Sequence, residues 1–314
     1  MRSTVLITGC SAGGAGNAIA KTYNSKGLHV FATARRLAAM ENLQGIPGIT
    51  LVQLDVTDIA SIKSARDQVA SVLGEGKGLD LLVNNAGVVT VGAAVDMDLQ
   101  TTRNMFDANV FGMMAMVQEF MPLLMLSNDA CIVNTGSVAG LVPFAFSSSY
   151  NATKAAVHSY SDTLRLGMHF CSWIKVTTIW LGGVKTNMSQ QKPVPFPETS
   201  YYAPIEALVR KGRAAPDSTL SIHHPSLTFP LSYNAPDIMP AEVFANSLVT
   251  ASLKNNPSRR LTLGTGGSMM TWISRLMPDF MMVRPSSTTQ FVLLSSHVQT
   301  DRIIWSTSFW ALAN

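Results

Sequence analysis

Cysteine is scarce in this chain: there are three in 314 residues, Cys10, Cys131 and Cys171, with no paired spacing. An odd, sparse count excludes a disulfide framework and a structural zinc site. Charge is scarce too, at 13% of residues against 47% hydrophobic. That balance provides for a sizeable core and excludes a disordered chain. It also implies a surface that is poor in charge, or partly covered by a partner or a membrane. The net charge is +4 without any Lys/Arg run, so no nucleic-acid partner is expected. Mild basicity instead suits an anionic cofactor or substrate. The six histidines form no metal-ligand pattern, and no metal is expected. His223 and His224 are adjacent, the wrong spacing for one helix face, and read as surface loop. No run of eighteen apolar residues exists, so no membrane-spanning helix is expected. The N-terminal Thr4-Val5-Leu6-Ile7 leads straight into a glycine turn, which reads as a first strand and not as a leader peptide.

What is present is an alternation. Short apolar strands are expected at Thr4–Thr8, His29–Thr33, Thr50–Asp55, Leu79–Asn84, Ala130–Thr135 and Ile174–Trp180. Stretches with helical spacing, such as Ala18–Lys26 and Ile59–Leu73, lie between them. Strands separated by helix-length segments imply βαβ units and a parallel sheet. The expected fold class is α/β: a doubly wound parallel sheet, the Rossmann fold, in a single domain with a C-terminal extension. Residues 1–190 would form the dinucleotide-binding and catalytic core. Residues 191–284 would supply a substrate loop and C-terminal helices, including Pro204–Ala214 and Ala241–Leu253. Ala215–Pro240 shows no clear period, and the tail 285–314 carries scattered aromatics without assignable structure.

After the first strand comes Thr8-Gly9-Cys10-Ser11-Ala12-Gly13-Gly14-Ala15-Gly16. Glycines in a strand-to-helix turn let the backbone approach a pyrophosphate, and the helix N-terminus supplies N–H groups. Such a turn is also found as an ordinary flexible connection; its place between strand and helix is what points to a nucleotide. At the end of the second strand the chain reads Phe31-Ala32-Thr33-Ala34-Arg35-Arg36. A carboxylate there would grip a ribose 2′-hydroxyl, but none is present. Two guanidinium groups instead match a 2′-phosphate by charge and by fork geometry, favouring NADP(H). The alternative is a solvated arginine pair opening the next helix.

Tyr150 and Lys154 are four apart in Tyr-Asn-Ala-Thr-Lys, with Ser137 thirteen residues earlier. On a helix, residues four apart share a face. A free phenol has a pKa of about 10, and a nearby ammonium favours its ionised form, which is acid–base chemistry suited to an alcohol or carbonyl. Taken alone the pair is weak, since an aromatic on a core face beside a solvated lysine is common.

The motifs in order are the glycine turn, Leu54-Asp55-Val56, Asn84-Asn85-Ala86-Gly87, Asn109-Val110-Phe111-Gly112, Gly136-Ser137, Tyr150-x-x-x-Lys154 and Gly182-Gly183-Val184-Lys185-Thr186. Over about residues 1–190 the chain thereby resembles the short-chain dehydrogenase/reductase family. The resemblance implies that Tyr150 is the general acid in reduction and the base in oxidation. Ser137 would hydrogen-bond the substrate carbonyl. Lys154 would hold the nicotinamide ribose and lower the tyrosine pKa, with Asn109 supporting a water-linked relay behind it. Gly9, Ser11, Gly14, Ala15 and Gly16 would carry the pyrophosphate turn, with Thr33, Arg35 and Arg36 toward the adenosine ribose. Asp55 would contact the adenine, Asn84 and Asn85 the adenine-ribose side, and Val184 and Thr186 the nicotinamide end. The glycine turn is one residue longer than the family's usual form, and Leu181 stands where many members have proline.

Thr-Gly-Cys-Ser-x-Gly-Gly, Phe-Ala-Thr-Ala-Arg-Arg and Gly-Gly-Val-Lys-Thr-Asn are similar to a fungal branch of NADPH-dependent 1-acyl-dihydroxyacetone-phosphate reductases and secondary-metabolite tailoring reductases. The expectation is an NADP(H)-dependent enzyme interconverting a ketone and a secondary alcohol on a hydrophobic substrate. The alternatives are a lipid-metabolic acyl-dihydroxyacetone-phosphate reductase and a cofactor-binding protein without turnover. The family implies a homo-oligomer built through the Asn109 and Tyr150 helices. The protein is expected in the cytoplasm. The apolar stretch Met269–Met277 reads as core or subunit contact, or alternatively as peripheral contact with a membrane or lipid droplet.

Overall fold

The computed structural model describes residues 2–171, 173–190, 194–207 and 238–276. Seven strands form one parallel sheet: β1 (Thr4–Ile7), β2 (His29–Ala34), β3 (Ile49–Gln53), β4 (Leu81–Asn84), β5 (Cys131–Thr135), β6 (Lys175–Leu181) and β9 (Arg260–Leu263). Their spatial order is β3-β2-β1-β4-β5-β6-β9. A second, two-stranded sheet pairs β7 (Val184–Lys185) with β8 (Met239–Pro240). The helices are α1 (Ala15–Ser25), α2 (Ile59–Leu73), α3 (Leu99–Phe106), α4 (Gly112–Met125), α5 (Ser148–Cys171), α6 (Ala241–Ser252) and α7 (Gly267–Leu276).

The central strands are buried on both faces, and such strands read as nearly continuous apolar runs. Alternation decides which layer each side chain joins. Val5 and Ile7 point to one side, where Ile19 and Tyr23 of α1 and Phe244 and Leu248 of α6 cover them. Leu6 points to the other, against Ile62 and Val69 of α2 and Phe120 and Leu124 of α4. Tyr23 and Ser252 tie α1 to α6 through a buried 2.6 Å hydroxyl pair. The strand order reverses between β1 and β4, which opens a crevice at the carboxyl ends of the strands.

Helices α3 and α4 run on through a π-turn at Asp107–Phe111. The continuous stretch Leu99–Met125 is long and apolar enough to cross a bilayer by length and composition, and 56% of its most apolar window is buried inside the protein.

The expected strands lie within a residue or two of the observed ones. Two differences stand out. Helix α1 begins at Ala15, not Ala18, because the glycine turn hands directly to it. Strand β9 was not expected: its four residues, Arg-Leu-Thr-Leu, are too few to carry a period, and it forms only by pairing with β6. The apolar stretch from Met269 lies on α7. Of the helix expected at Pro204–Ala214, only a 3-10 turn at Ala203–Ile205 falls within the described residues. Most of Ala215–Pro240, including His223 and His224, and the tail 285–314 lie outside them.

At the amino ends of the central strands, opposite the crevice, Asp80 staples the N-terminus. Its Oδ2 accepts from Ser3 N (2.6 Å), Ser3 Oγ (3.1 Å), Thr4 N (3.1 Å) and Thr4 Oγ1 (3.2 Å), and its Oδ1 accepts from Ser127 Oγ at 2.6 Å. Burial opposes ionisation, but these donors outweigh it and hold the carboxyl below the ordinary carboxylate range. A depressed folded-state pKa contributes stability above the unfolded value, lost as pH falls through the folded one. Asp80→Asn is therefore expected to cost about 1–2 kcal/mol at pH 7, discounted for partial exposure. Denaturant melts of both proteins should converge as pH drops below about 4.

Candidate active site

The crevice holds a cleft of about 420 Å³ that runs from the glycine turn to α7. At one end, Gly9 and Gly13 take positive φ (77° and 73°), which a side chain rarely adopts. Gly14 caps α1 with no side-chain hydrogen bond, and no acidic residue lies in the first turn of α1. The N–H groups and the positive end of the helix dipole therefore face the cleft uncompensated, as a pyrophosphate site requires. Gly9, Ser11, Gly14 and Ala15 line this end. Asn85 braces the turn: its Nδ2 donates to Thr8 O (2.9 Å) and Gly9 O (3.3 Å), and its own N–H donates to Thr8 Oγ1 at 2.9 Å. Thr33 and Arg35 line the cleft beside β2, and Asp55 lines it beyond β3, with Oδ1 accepting from Thr57 N and Thr57 Oγ1. This donor-rich turn, with a guanidinium and no carboxylate at the end of β2, fits a phosphorylated dinucleotide.

Three residues expected at the cofactor lie off the cleft wall. A Cβ on Gly16 would sit 2.4 Å from Gly9 O and 2.7 Å from Asn85 Nδ2, so this glycine lets α1 pack under the turn. Asn84 is buried in the sheet, where its Nδ2 donates to Asn134 Oδ1 at 2.9 Å. Arg36 is exposed at the head of the 3-10 turn Leu37–Leu43.

At the other end, the first turns of α5 bring Tyr150 and Lys154 to the cleft wall with Ser137. Lys154 Nζ lies 5.6 Å from the centre of the Tyr150 ring and donates to Thr135 O, at the end of β5, at 2.8 Å. Burial lowers its ammonium to about 8. Ser137 Oγ donates to Leu181 O and accepts from Ala139 N, both at 3.1 Å. Leu181, in the family's usual proline position, therefore provides a carbonyl that aims the serine hydroxyl. Asn109 is buried on the π-turn, behind the wall. It accepts from Val88 N at 2.7 Å and donates to Val88 O (2.9 Å) and Thr153 Oγ1 (3.1 Å), clamping the cleft-lining Val88 loop to α5. Val184 and Thr186 line the cleft between the two ends.

Four contributors were not evident in the sequence. Asn187, just past Thr186, grips the glycine turn: its N–H donates to Gly13 O (3.1 Å) and its Nδ2 to Ala12 O (2.9 Å). Met269 and Met270 of α7 line the cleft, and Met270 packs on Val138 and Val142 beside Ser137. His158, one turn past Lys154, lies behind the serine and accepts from Ser137 N at 3.2 Å. Only the 150–154–158 spacing on α5 hinted at any of these.

The short chain dehydrogenase family model matches residues 3–194. The chain is 40% identical over 212 residues to the short-chain dehydrogenase cctT of Talaromyces islandicus, covering 67% of this chain and 74% of that one. It is 38% identical over 215 residues to the NADPH-dependent 1-acyldihydroxyacetone phosphate reductase of Schizosaccharomyces pombe, covering 67% and 71%. The crystal structure of a short-chain dehydrogenase from Streptomyces avermitilis superposes with a TM-score of 0.71 at 26% identity, over 94% of this chain and 98% of that one. This chain belongs to the short-chain dehydrogenase/reductase family and is an NAD(P)-dependent oxidoreductase acting on alcohol and ketone groups.

Lys154 carries a consequence for stability. Its ammonium titrates at about 8 when folded, against 10.5 for an ordinary lysine. Between those values the unfolded chain binds more protons, so stability rises with pH across the window and the buried charge costs stability below it. Lys154→Met is expected to melt at or above the wild-type temperature at pH 7, with its advantage shrinking toward pH 10. Parallel thermal melts check this.

Proposed function

We propose that this protein is an NADP(H)-dependent reductase that interconverts a neutral, apolar ketone and its secondary alcohol, with Tyr150 as the proton donor. The observation that carries the reading is the convergence of Tyr150, Lys154 and Ser137 on one cleft with the glycine turn and Arg35. When bound, the nicotinamide supplies the reducing equivalent. The Ser137 hydroxyl, turned from Leu181 O to the substrate, donates a hydrogen bond to the carbonyl oxygen as it gains negative charge. Tyr150 passes its proton to that oxygen. The Lys154 ammonium, fixed by Thr135 O, stabilises the phenolate that remains. Asn109 acts at one remove, by holding α5 to the Val88 loop.

Apolar side chains on the wall support the substrate class: Val89, Val91, Val138, Phe144, Ile238 and Met270. A second reading, a phosphorylated acyl ketone, is favoured by the relative from Schizosaccharomyces pombe. Among the described residues the lysines and arginines on the cleft wall are Arg35 and Lys154, one at the β2 end and one beside Tyr150. That pattern supports the neutral ketone. We place residues 194–207 and α7 at the substrate end of the same domain, with α6 packed on α1 and β9 completing the sheet. Exposed Phe111, Leu166 and Phe170 support a homo-oligomer.

Tyr150→Phe is expected to lower kcat by about 10²–10⁴-fold, with NADPH affinity unchanged by fluorescence titration. Retained turnover defeats the reading. Consumption of 1-acyl-dihydroxyacetone phosphate in preference to neutral ketones decides for the second reading. Arg35→Asp should lower kcat/KM for NADPH by roughly ten-fold or more while leaving NADH turnover far less affected, since one charge-assisted contact is worth about 1.5–3 kcal/mol. Steady-state kinetics with both cofactors checks it.

A further inference from the structure

We infer that His158 is a positioning residue that sets the Ser137 backbone, and with it the aim of the serine hydroxyl, by accepting the Ser137 N–H on Nε2. The inference rests on the role proposed for Ser137.

The turn from β5 into α5 is built around this ring. A Cβ on Gly136 would lie 2.3 Å from His158 Nε2, and one on Gly140 would lie 2.8 Å from Cε1. The two glycines that bracket Ser137 and its 3-10 turn therefore leave the space that the imidazole fills. On its other side the ring packs against Trp180 of β6, with centroids 5.7 Å apart. The residue is 8% exposed.

An acceptor on Nε2 requires the neutral tautomer with hydrogen on Nδ1. Burial, reinforced by the Lys154 ammonium, brings the ring down to about 4, so the Nε2 lone pair stays available at neutral pH. Nδ1 has no hydrogen-bond partner among the described residues. A leucine of similar bulk would remove that orphaned donor, so filling space does not account for a histidine here; the Ser137 N–H bond does. Because α5 carries Tyr150, Lys154 and His158 one turn apart, the same helix positions the phenol directly and the serine through its main chain.

The test compares His158→Leu, His158→Gln and His158→Asn. Glutamine can bring an amide oxygen to the place of Nε2; asparagine is too short. For the leucine variant we expect kcat for ketone reduction to fall roughly ten- to hundred-fold, with NADPH affinity within two-fold of wild type. The Ser137 amide, followed by hydrogen exchange, should exchange at least about ten-fold faster than in wild type. Glutamine should restore both. Unchanged kcat with a protected Ser137 amide in His158→Leu overturns the inference, and so does equal loss in the leucine and glutamine variants. Should the leucine variant not fold, the other pair decides: glutamine near wild type with asparagine slowed supports the inference, and equal rates overturn it. If the proposed catalytic set itself were wrong, Tyr150→Phe would keep wild-type turnover whatever the exchange data show. Failure of the present inference leaves Tyr150→Phe inactive and the Ser137 amide indifferent to residue 158.

Discussion

The hydrogen bond from the Lys154 ammonium to the carbonyl of Thr135 joins the last residue of a buried strand to the second turn of a long helix. Because a cation in the interior must find an acceptor, this contact fixes both the depth and the rotation of α5 against the sheet. Everything one turn away follows. Tyr150 precedes the lysine and meets the cleft; His158 follows it and meets the serine turn. Asn109 closes the arrangement from the far side by holding Thr153, the neighbour of Lys154, together with both backbone groups of Val88.

Such a construction is not the most stable one the fold allows. Among the described residues, the buried side-chain polar atoms left without a partner are Asn84 Oδ1, Thr135 Oγ1, His158 Nδ1 and Thr178 Oγ1. Thr135 and His158 directly flank the groups that face the cleft, and a desolvated ammonium sits between them. Unpaired buried polar groups typically cost about 1–3 kcal/mol each. The rest of the molecule offsets this with two apolar layers that contain no such defects, built on β-branched strands covered by α1, α2, α4 and α6. Thr135 Oγ1 and His158 Nδ1 lie beside the chemistry, whereas Thr178 Oγ1 lies in the middle of β6.

Much of the fold was legible because the central strands obey a local rule. A strand buried on both faces must be apolar at nearly every position, and Thr4–Ile7 or Leu81–Asn84 can hardly be anything else. The glycine turn and the Tyr150–Lys154 pair were legible because helix geometry and backbone freedom act over a few residues. Strand β9 was not, since its Arg-Leu-Thr-Leu becomes a strand only by pairing with β6 across eighty residues of chain. Asn187 and Met270 were hidden for the same reason: their partners, Ala12 and Val138, are remote in sequence. Arg35 and Arg36 were indistinguishable as neighbours, although only the first lines the cleft, past the end of β2. Gly16 and Asn84 sit inside motifs with several cleft-lining members, so spacing alone could not reveal that these two turn inward to packing.

The glycine turn also contains Cys10, fully buried, with its sulfur donating to Ile7 O and its thiol pushed up to about 12 by burial. Cys131, in the middle of the sheet, is equally buried, with its thiol raised to about 11. Neither sulfur is available as a thiolate at neutral pH. Electrophilic reagents and mild oxidants that disable enzymes with reactive cysteines should therefore pass these two by. With Cys171 replaced by serine, a sulfhydryl engineered onto the outer face of α2 could then be tagged with a dye or a spin label while the dinucleotide cleft stays untouched.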